Sequence, residues 1–339
     1  MQKILNNYDE LTRFLNESDS RNILFVHGKS FSKFEALNKY ICSLDDKKLF
    51  HFTGFNSNPD INEAKDALDF AEKNNCEAIL VIGGGSAIDT AKYVKLHKNL
   101  PMIAIPTTAG SGSEATRFAV LYEDGRKLSL TDDNMIPDAI LFDSKLLQYL
   151  PEYHIKSSAL DAFSHALESF WSVNANSESQ NFSREALSEI TSLLEDYPDS
   201  YRPEKMLLSS YKAGRAINIS QTTAGHAMCY KLTGLFKIAH GHAAALCNRV
   251  LFKWLIRNKP SHVLNDIADS MSCKSPEEAA EKFCDIFDRL ALEIPRASSH
   301  DIEILAESVN PERLKNFPCK LDRLTIKNLY QEILNTNGR

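Results

Sequence analysis

The sequence predicts an α/β half, with a doubly wound parallel sheet, over residues 1–150 and an all-helical half over residues 151–339. Three observations carry that reading. Short β-rich runs alternate with helical patterns up to about residue 150. One run, Ala78-Ile79-Leu80-Val81-Ile82, is apolar without interruption, as a strand buried on both faces requires. Beyond Pro151 the chain reads as long helical segments with no convincing strand.

In chain order, Ile23-Leu24-Phe25-Val26 reads as a strand and Lys48 to Phe52 as a weaker one. Pro59-Asp60 opens a helix that carries Ile61, Ala64, Leu68 and Ala71 on one face. Gly83-Gly84-Gly85 stops the Ala78–Ile82 strand, and a helix follows from Ser86 to Leu96. Met102 to Ile105 is the next strand, closed by Pro106. Phe118 to Tyr122 and Lys127 to Leu130 form a hairpin around Glu123-Asp124-Gly125-Arg126, and Ala139 to Phe142 is a last strand. Helices are then expected at Ser157–Trp171, Ser183–Leu194 and Lys205–Ile219, and near Pro276–Leu290 and Leu324–Leu334.

Composition narrows the function. With 43% hydrophobic and 25% charged residues the chain is an ordinary globular protein rather than a disordered one. A formal net charge of −6 gives no global basic field, so neither nucleic acid nor a membrane surface is an expected partner, although a local basic pocket stays open. The Ala78–Ile82 run falls far short of the roughly 20 residues that a spanning helix needs. The first residues, Met1 to Asn7, lack the apolar core of a signal peptide. Seven cysteines without a Cys-x-x-Cys pair argue against a disulfide framework and a thiolate zinc site, which makes the cytoplasm the expected location.

Two loops bear on ligand binding. Gly83-Gly84-Gly85-Ser86-Ala87-Ile88-Asp89 joins the most buried strand to a helix, where glycines let backbone approach a pyrophosphate and the helix start favours its charge. Ser86 is the expected N-cap, with Asp89 three residues on as in a capping box. The spacing is not G-x-G-x-x-G, and a tight turn without ligand would use the same glycines. Pro106-Thr107-Thr108-Ala109-Gly110-Ser111-Gly112-Ser113-Glu114-Ala115-Thr116 follows the next strand and reads either as a flexible loop or as a second ligand loop. Two such loops beyond strands of one half favour nucleotide binding.

In the helical half, Asp161 and His165 stand four apart, on one helix face and about 5–6 Å from each other. His226 and His240 are 14 residues apart, about 21 Å along a straight helix, so a shared ion requires a turn between them, expected at Thr233 and Gly234. Aspartate with three imidazoles suits Fe(II) or Zn(II). The bland alternatives are a surface Asp–His hydrogen bond and structural histidines. Spacing does not decide whether His242 is a ligand, a proton carrier or a core residue.

These motifs resemble the iron-containing alcohol dehydrogenase family. Gly83-Gly84-Gly85-Ser86-x-x-Asp89 and the Pro106–Glu114 loop look like its cofactor loops, Asp161-x-x-x-His165 like its first metal pair, and His226 and His240-Gly241 like the remaining ligands. Asp143, Pro151 and Asn310-Pro311-x-Arg313 fit too. The resemblance implies a dehydroquinate synthase-like fold, at least a homodimer, and one ion on Asp161, His165, His226 and His240, with Fe(II) expected and Zn(II) the alternative. It implies a cofactor on Gly83, Gly84, Gly85, Ser86, Asp89, Thr107, Thr108 and Ser111.

There are departures. Tyr230 stands where many members have a proton-relaying histidine; a phenol is a poorer shuttle, which leaves His242 as the expected substitute. Gly28 stands where many NAD-preferring members carry an aspartate, and Lys29 and Ser30 next to it suit a 2′-phosphate, so NADP(H) is expected with NAD(H) as the alternative. The chain is also shorter than typical members.

The stretches His226–Thr233 and His240–Ala243 are similar to the phosphonoacetaldehyde reductase branch. That resemblance implies reduction of phosphonoacetaldehyde to 2-hydroxyethylphosphonate, with Arg117, Lys231 and Arg249 as candidate phosphonate contacts and Lys127 serving substrate or cofactor. The alternatives are an aliphatic or polyol alcohol dehydrogenase and a dehydroquinate-synthase-like lyase.

Overall fold

The computed structural model describes residues 2–334. The chain divides between Leu150 and Pro151 into two compact units. The first contains, in order, β1 (Lys3–Leu5), α1 (Tyr8–Glu17), β2 (Asn22–His27), α2 (Glu35–Cys42), β3 (Lys48–Phe52), α3 (Ile61–Lys73), β4 (Ala78–Gly83), α4 (Gly85–Lys98), β5 (Met102–Pro106), β6 (Phe118–Glu123), β7 (Arg126–Thr131) and β8 (Ala139–Leu141).

Six of these strands form one sheet in the order β1-β8-β5-β4-β2-β3, parallel at every pairing. β4 is buried along its whole length. Alternation sends Leu80 and Ile82 to one core with Ile23, Phe25, Leu11 and Leu15, and Ile79 and Val81 to another with Leu24, Val26, Ala87 and Ala91. The sheet is therefore covered on both faces, which is why its central run is apolar throughout. From β2 the chain moves outward to β3, then returns to β2's other side as β4. Strand order thus reverses between β2 and β4, and ligands of open α/β sheets bind beyond strand ends at such a switch point. The hairpin pairs β6 with β7 around Asp124 and Gly125, both at positive φ.

Three elements of this unit escape local pattern. β1 has three residues and exists by pairing with residues 139–141, and α1 and α2 are short amphipathic helices that fill one core. The helix after the glycines also starts earlier than expected. Its N-cap is Gly84 and not Ser86, whose hydroxyl donates to the Ser57 carbonyl, and no capping box forms because Asp89 is buried elsewhere.

The second unit contains α5 (Glu152–Trp171), α6 (Ser177–Glu195), α7 (Pro203–Ser220), α8 (Ala224–Phe236), α9 (His240–Asn258), α10 (His262–Ser270), α11 (Pro276–Arg289), α12 (Ser299–Ser308) and α13 (Arg323–Ile333), and no strand occurs among its described residues. α5 is the central helix, packed on α6, α7 and α9 and buried almost all round from Ala159 to Trp171. The turn between His226 and His240 falls at Lys237, left-handed at φ 54°, and not at Thr233 or Gly234, which stay helical. Among the described residues no helix is long and apolar enough to cross a membrane.

Candidate functional site

In the first unit the sheet's carboxyl ends carry the expected loops. Gly83 ends β4, and a Cβ on it would lie 2.5 Å from that of Ala87, so a side chain would push α4 off the strand. A Cβ on Gly84 would meet the Thr108 side chain at 3.1 Å, and one on Gly85 the Ser111 hydroxyl at 3.0 Å. The Thr107 amide donates to the Gly83 carbonyl at 3.0 Å. The two loops therefore touch, and the first helical turn of α4 keeps bare backbone amides where an anion would be received. Gly28 follows β2 across the switch point, with exposed Lys29 and Ser30 opening a 3-10 turn.

Asp89 faces inward. Its carboxylate accepts from the Ser113 hydroxyl and from the Val120 amide at 2.9 Å, tying α4 to the second loop and to β6. Two residues that sequence reasoning missed join it. Lys92 is fully buried and donates to the Phe118 carbonyl at 2.7 Å and the Thr116 hydroxyl at 3.1 Å. Burial lowers this lysine to about 8 against the pull of Asp89 and Glu114, and burial raises the Glu114 carboxyl to about 7. The signal was an Asp-x-x-Lys spacing that puts both side chains on one face of α4. Burial raises the Asp89 carboxyl above its usual range, against the opposing charges of Lys92 and of Lys127, which lies half-buried on β7.

In the second unit three imidazoles converge on one oxygen. His226 Nε2 lies 3.5 Å from Asp161 Oδ1, and His165 Nε2 and His240 Nε2 each lie 4.0 Å from it. With metal bonds near 2.1 Å, tetrahedral ligand atoms stand about 3.4 Å apart, close to this spacing. Asp161 Oδ1 and His226 Nε2 are buried without a hydrogen-bond partner, a costly arrangement that an ion at their common centre would relieve. The donor set of one carboxylate and three imidazoles fits Fe(II) or Zn(II). Three of the side chains are at most 8% exposed, whereas that of His240 is 39% exposed and forms the open side. Although burial opposes it, the neighbouring imidazoles of His165, His240 and His226 hold the Asp161 carboxyl well below its usual range.

Glu168 was missed by sequence reasoning. It follows Asp161 by seven residues, two turns along the same face of α5, and is fully buried. Its Oε1 accepts from His226 Nδ1 at 2.6 Å and Asn248 Nδ2 at 2.7 Å, and its Oε2 from the amide and hydroxyl of Thr223. A carboxylate on Nδ1 fixes that proton and leaves Nε2 with a lone pair toward the ion position. The close packing of α9 on α5 depends on glycine: a Cβ on Gly241 would lie 2.0 Å from the Ser157 carbonyl oxygen.

Several expected roles need correction. His242 is two residues beyond His240, about 200° round the helix, so it faces away from the ion position. It is buried against Phe287, with Nδ1 3.2 Å from the Tyr153 hydroxyl, and burial depresses it to about 4. A ring held neutral in the core is a poor proton carrier at neutral pH. Because the unfolded ring titrates near 6.5, it takes a proton there that the folded ring refuses, and stability falls as pH drops from about 6.5 to about 4. In chelator-treated protein, His242→Leu is therefore expected to gain melting temperature relative to wild type between pH 7.5 and pH 5; parallel pH curves would refute it.

Arg117 pairs with Asp133 at 3.2 Å and lies over Phe118. Arg249 pairs with Asp288 at 3.8 Å, lies over Phe287, and stands nine residues, about 13.5 Å, along α9 from His240. Both cations are thus engaged away from the ion position or in the other unit. Lys231 is exposed on α8, and Tyr230 stacks on His240 with the two ring planes at 13°.

A carboxylate–histidine cluster able to hold an ion in one unit and glycine loops at a switch point in the other are the parts that a metal-dependent oxidoreductase using a dinucleotide requires. Comparison with known proteins narrows it. The family described as iron-containing alcohol dehydrogenase matches residues 4–144, and the C-terminal part of the Fe-containing alcohol dehydrogenase family matches residues 155–332. The chain belongs to the iron-containing alcohol dehydrogenase family. It is 28% identical over 316 residues to alcohol dehydrogenase 4 of Schizosaccharomyces pombe, spanning 84% of this chain and 74% of that one. It is 30% identical over 276 residues to the phosphonoacetaldehyde reductase of Streptomyces viridochromogenes, spanning 74% and 66%. The fold is that of the sulfoacetaldehyde reductase of Bifidobacterium kashiwanohense, solved in complex with NAD+, with a TM-score of 0.89 at 24% identity over 99% and 97% of the chains. The family assignment makes the chain an oxidoreductase, and the lyase alternative falls away.

Proposed function

We propose that the chain reduces a small aldehyde to its primary alcohol with NAD(P)H, and that phosphonoacetaldehyde is the aldehyde and 2-hydroxyethylphosphonate the product. The observation that carries the chemistry is the approach of three imidazole Nε2 atoms to one buried, unpartnered carboxylate oxygen. Asp161, His165, His226 and His240 are the residues that would hold the ion, Fe(II) or in its place Zn(II). A divalent ion polarises a carbonyl and stabilises the negative charge that builds on its oxygen. The carbonyl carbon gains the hydride of NAD(P)H, the oxygen gains a proton, and NAD(P)+ is released.

In this reading residues 1–150 bind the dinucleotide and residues 151–339 bind the ion. Gly83, Gly84, Gly85 and Ser86 receive the pyrophosphate, Thr107, Thr108 and Ser111 line it, and Asp89 holds the two loops together. NADP(H) is favoured over NAD(H) because Gly28 presents no carboxylate against a 2′-phosphate and Lys29 and Ser30 are exposed beside it. Gly28→Asp is expected to cut kcat/KM for NADPH by ~10-fold or more while sparing NADH, because it sets like charges together. An unchanged ratio would refute the assignment.

The phosphonate assignment draws support from the 30% identical Streptomyces reductase and from exposed Lys231 next to Tyr230. The longer match to the yeast alcohol dehydrogenase favours a second reading, a simple aliphatic substrate. NADPH oxidation with phosphonoacetaldehyde against butyraldehyde separates the two. Lys231→Glu is expected to depress only the phosphonate reaction. Turnover of butyraldehyde alone would leave the second reading. We also propose that the enzyme works as a homodimer, as the family resemblance implies, and in the cytoplasm, in keeping with seven free cysteines.

A further inference from the structure

We propose that Tyr230 and Arg313 are positioning residues that hold the His240 imidazole in a metal-binding orientation, and that this task replaces proton transfer at position 230. The inference rests on the metal reading above. His240 has the weakest confinement of the four side chains. It is the first residue of α9 and 39% exposed, whereas Asp161, His165 and His226 are at most 8% exposed. An exposed imidazole at a helix start samples several rotamers unless something restrains it.

The restraint comes from α8. Tyr230 follows His226 by four residues, so the helix that delivers one imidazole delivers, one turn on, the plate against which another leans. The Tyr230 and His240 rings are 5.6 Å apart at 13°, a parallel stack. The Arg313 guanidinium lies 5.0 Å from the Tyr230 ring centre, and its Nη1 donates to the Tyr230 hydroxyl at 3.3 Å. The guanidinium thus packs on the phenol ring, a contact that does not depend on the hydroxyl, while the ring stacks on His240. The adjoining Cys229 completes the arrangement. Its sulfur lies 3.6 Å from His240 Nδ1 and donates to the His226 carbonyl, so Nδ1 is turned to the thiol and Nε2 toward Asp161. What His240 meets is an aromatic face, and a face needs no hydroxyl.

The test is a cobalt(II) titration of the metal-free full-length chain, read by d–d absorption and by competition with a chelator. Tyr230→Phe is expected to bind within ~3-fold of wild type with the same spectrum, and Tyr230→Ala to lose ~10–100-fold with an altered spectrum, the range typical of lost ligand-orienting partners. Arg313→Met, which lies outside α8, is expected to lose ~3–10-fold and reads the same restraint should Tyr230→Ala fail to fold. Wild-type affinity in Tyr230→Ala or in Arg313→Met would overturn the inference, as would equal losses in Tyr230→Phe and Tyr230→Ala. Intact cobalt binding in Tyr230→Phe with a shifted pH–rate profile would return proton transfer to the phenol. Failure of the wild type to bind cobalt would instead remove the metal reading itself.

Discussion

A single methyl group at position 241 is expected to empty the metal centre. The Cβ of Gly241→Ala would lie 2.0 Å from the Ser157 carbonyl oxygen, 2.5 Å from Asp161 Cβ and 2.8 Å from the Asp161 amide nitrogen. These atoms belong to the α5 backbone or sit directly on it, so no rotamer change relieves the clash. α9 must withdraw from α5 by an ångström or more, to reach contacts of ordinary length. His240 precedes residue 241 and travels with it, while Asp161 stays behind. Overpacking of this kind costs ~1–3 kcal/mol or more, but the loss of ligand geometry matters more. Metal content after purification is expected near zero, with a melting temperature below that of the wild type. Stoichiometric metal in this variant would show that α9 and α5 tolerate separation.

Glu168→Ala is expected to have the largest effect on stability. The carboxylate receives four hydrogen bonds in a fully buried position, from His226, Asn248 and both donors of Thr223. Its own burial raises its pKa, yet these donors hold the carboxyl below its usual range, so it is ionised across the neutral region. Truncation strands all four donors in a site that water does not reach, which costs ~3–5 kcal/mol. It also frees the His226 ring to rotate, with ~10–100-fold weaker metal binding. Glu168→Gln is a sharper probe, because its amide nitrogen must face two donors whichever way it is turned. Denaturant unfolding with and without zinc measures both effects. Wild-type unfolding in Glu168→Ala would contradict the role of this carboxylate as the anchor of His226.

The parallel sheet and the Asp161–His165 pair were legible for the same reason, short-range spacing, whereas His226 and His240 joined that pair only through the family resemblance. Ala78–Ile82 is apolar because both faces of β4 are covered, and Asp161 with His165 betrays one helix face. What sequence hid depends on partners far along the chain. Glu168 lies on the face already found, one turn beyond His165, but its use as a hydrogen-bond acceptor for His226 is visible only once α8 is packed on α5. Asp89 looked like a capping residue, yet the donors that claim it, the Ser113 hydroxyl and the Val120 backbone amide, come from 24 and 31 residues away. His242 adjoins a ligand in sequence and is turned from it by the pitch of the helix. The chain also breaks at Lys237, in the left-handed region, although Gly234 is the better local breaker and stays helical.

The placement of β1 has a bearing on how the molecule is made. This three-residue edge strand pairs with β8, so Lys3 meets its neighbour at Ala139 after β2, β3, β4 and β5 have been synthesised. Closing so long a stretch of chain carries an entropic cost that local pairings such as β2 with β3 escape. On an emerging polypeptide the earliest-born strand of the sheet therefore waits, unpaired at the rim, until residues 139–141 have been made.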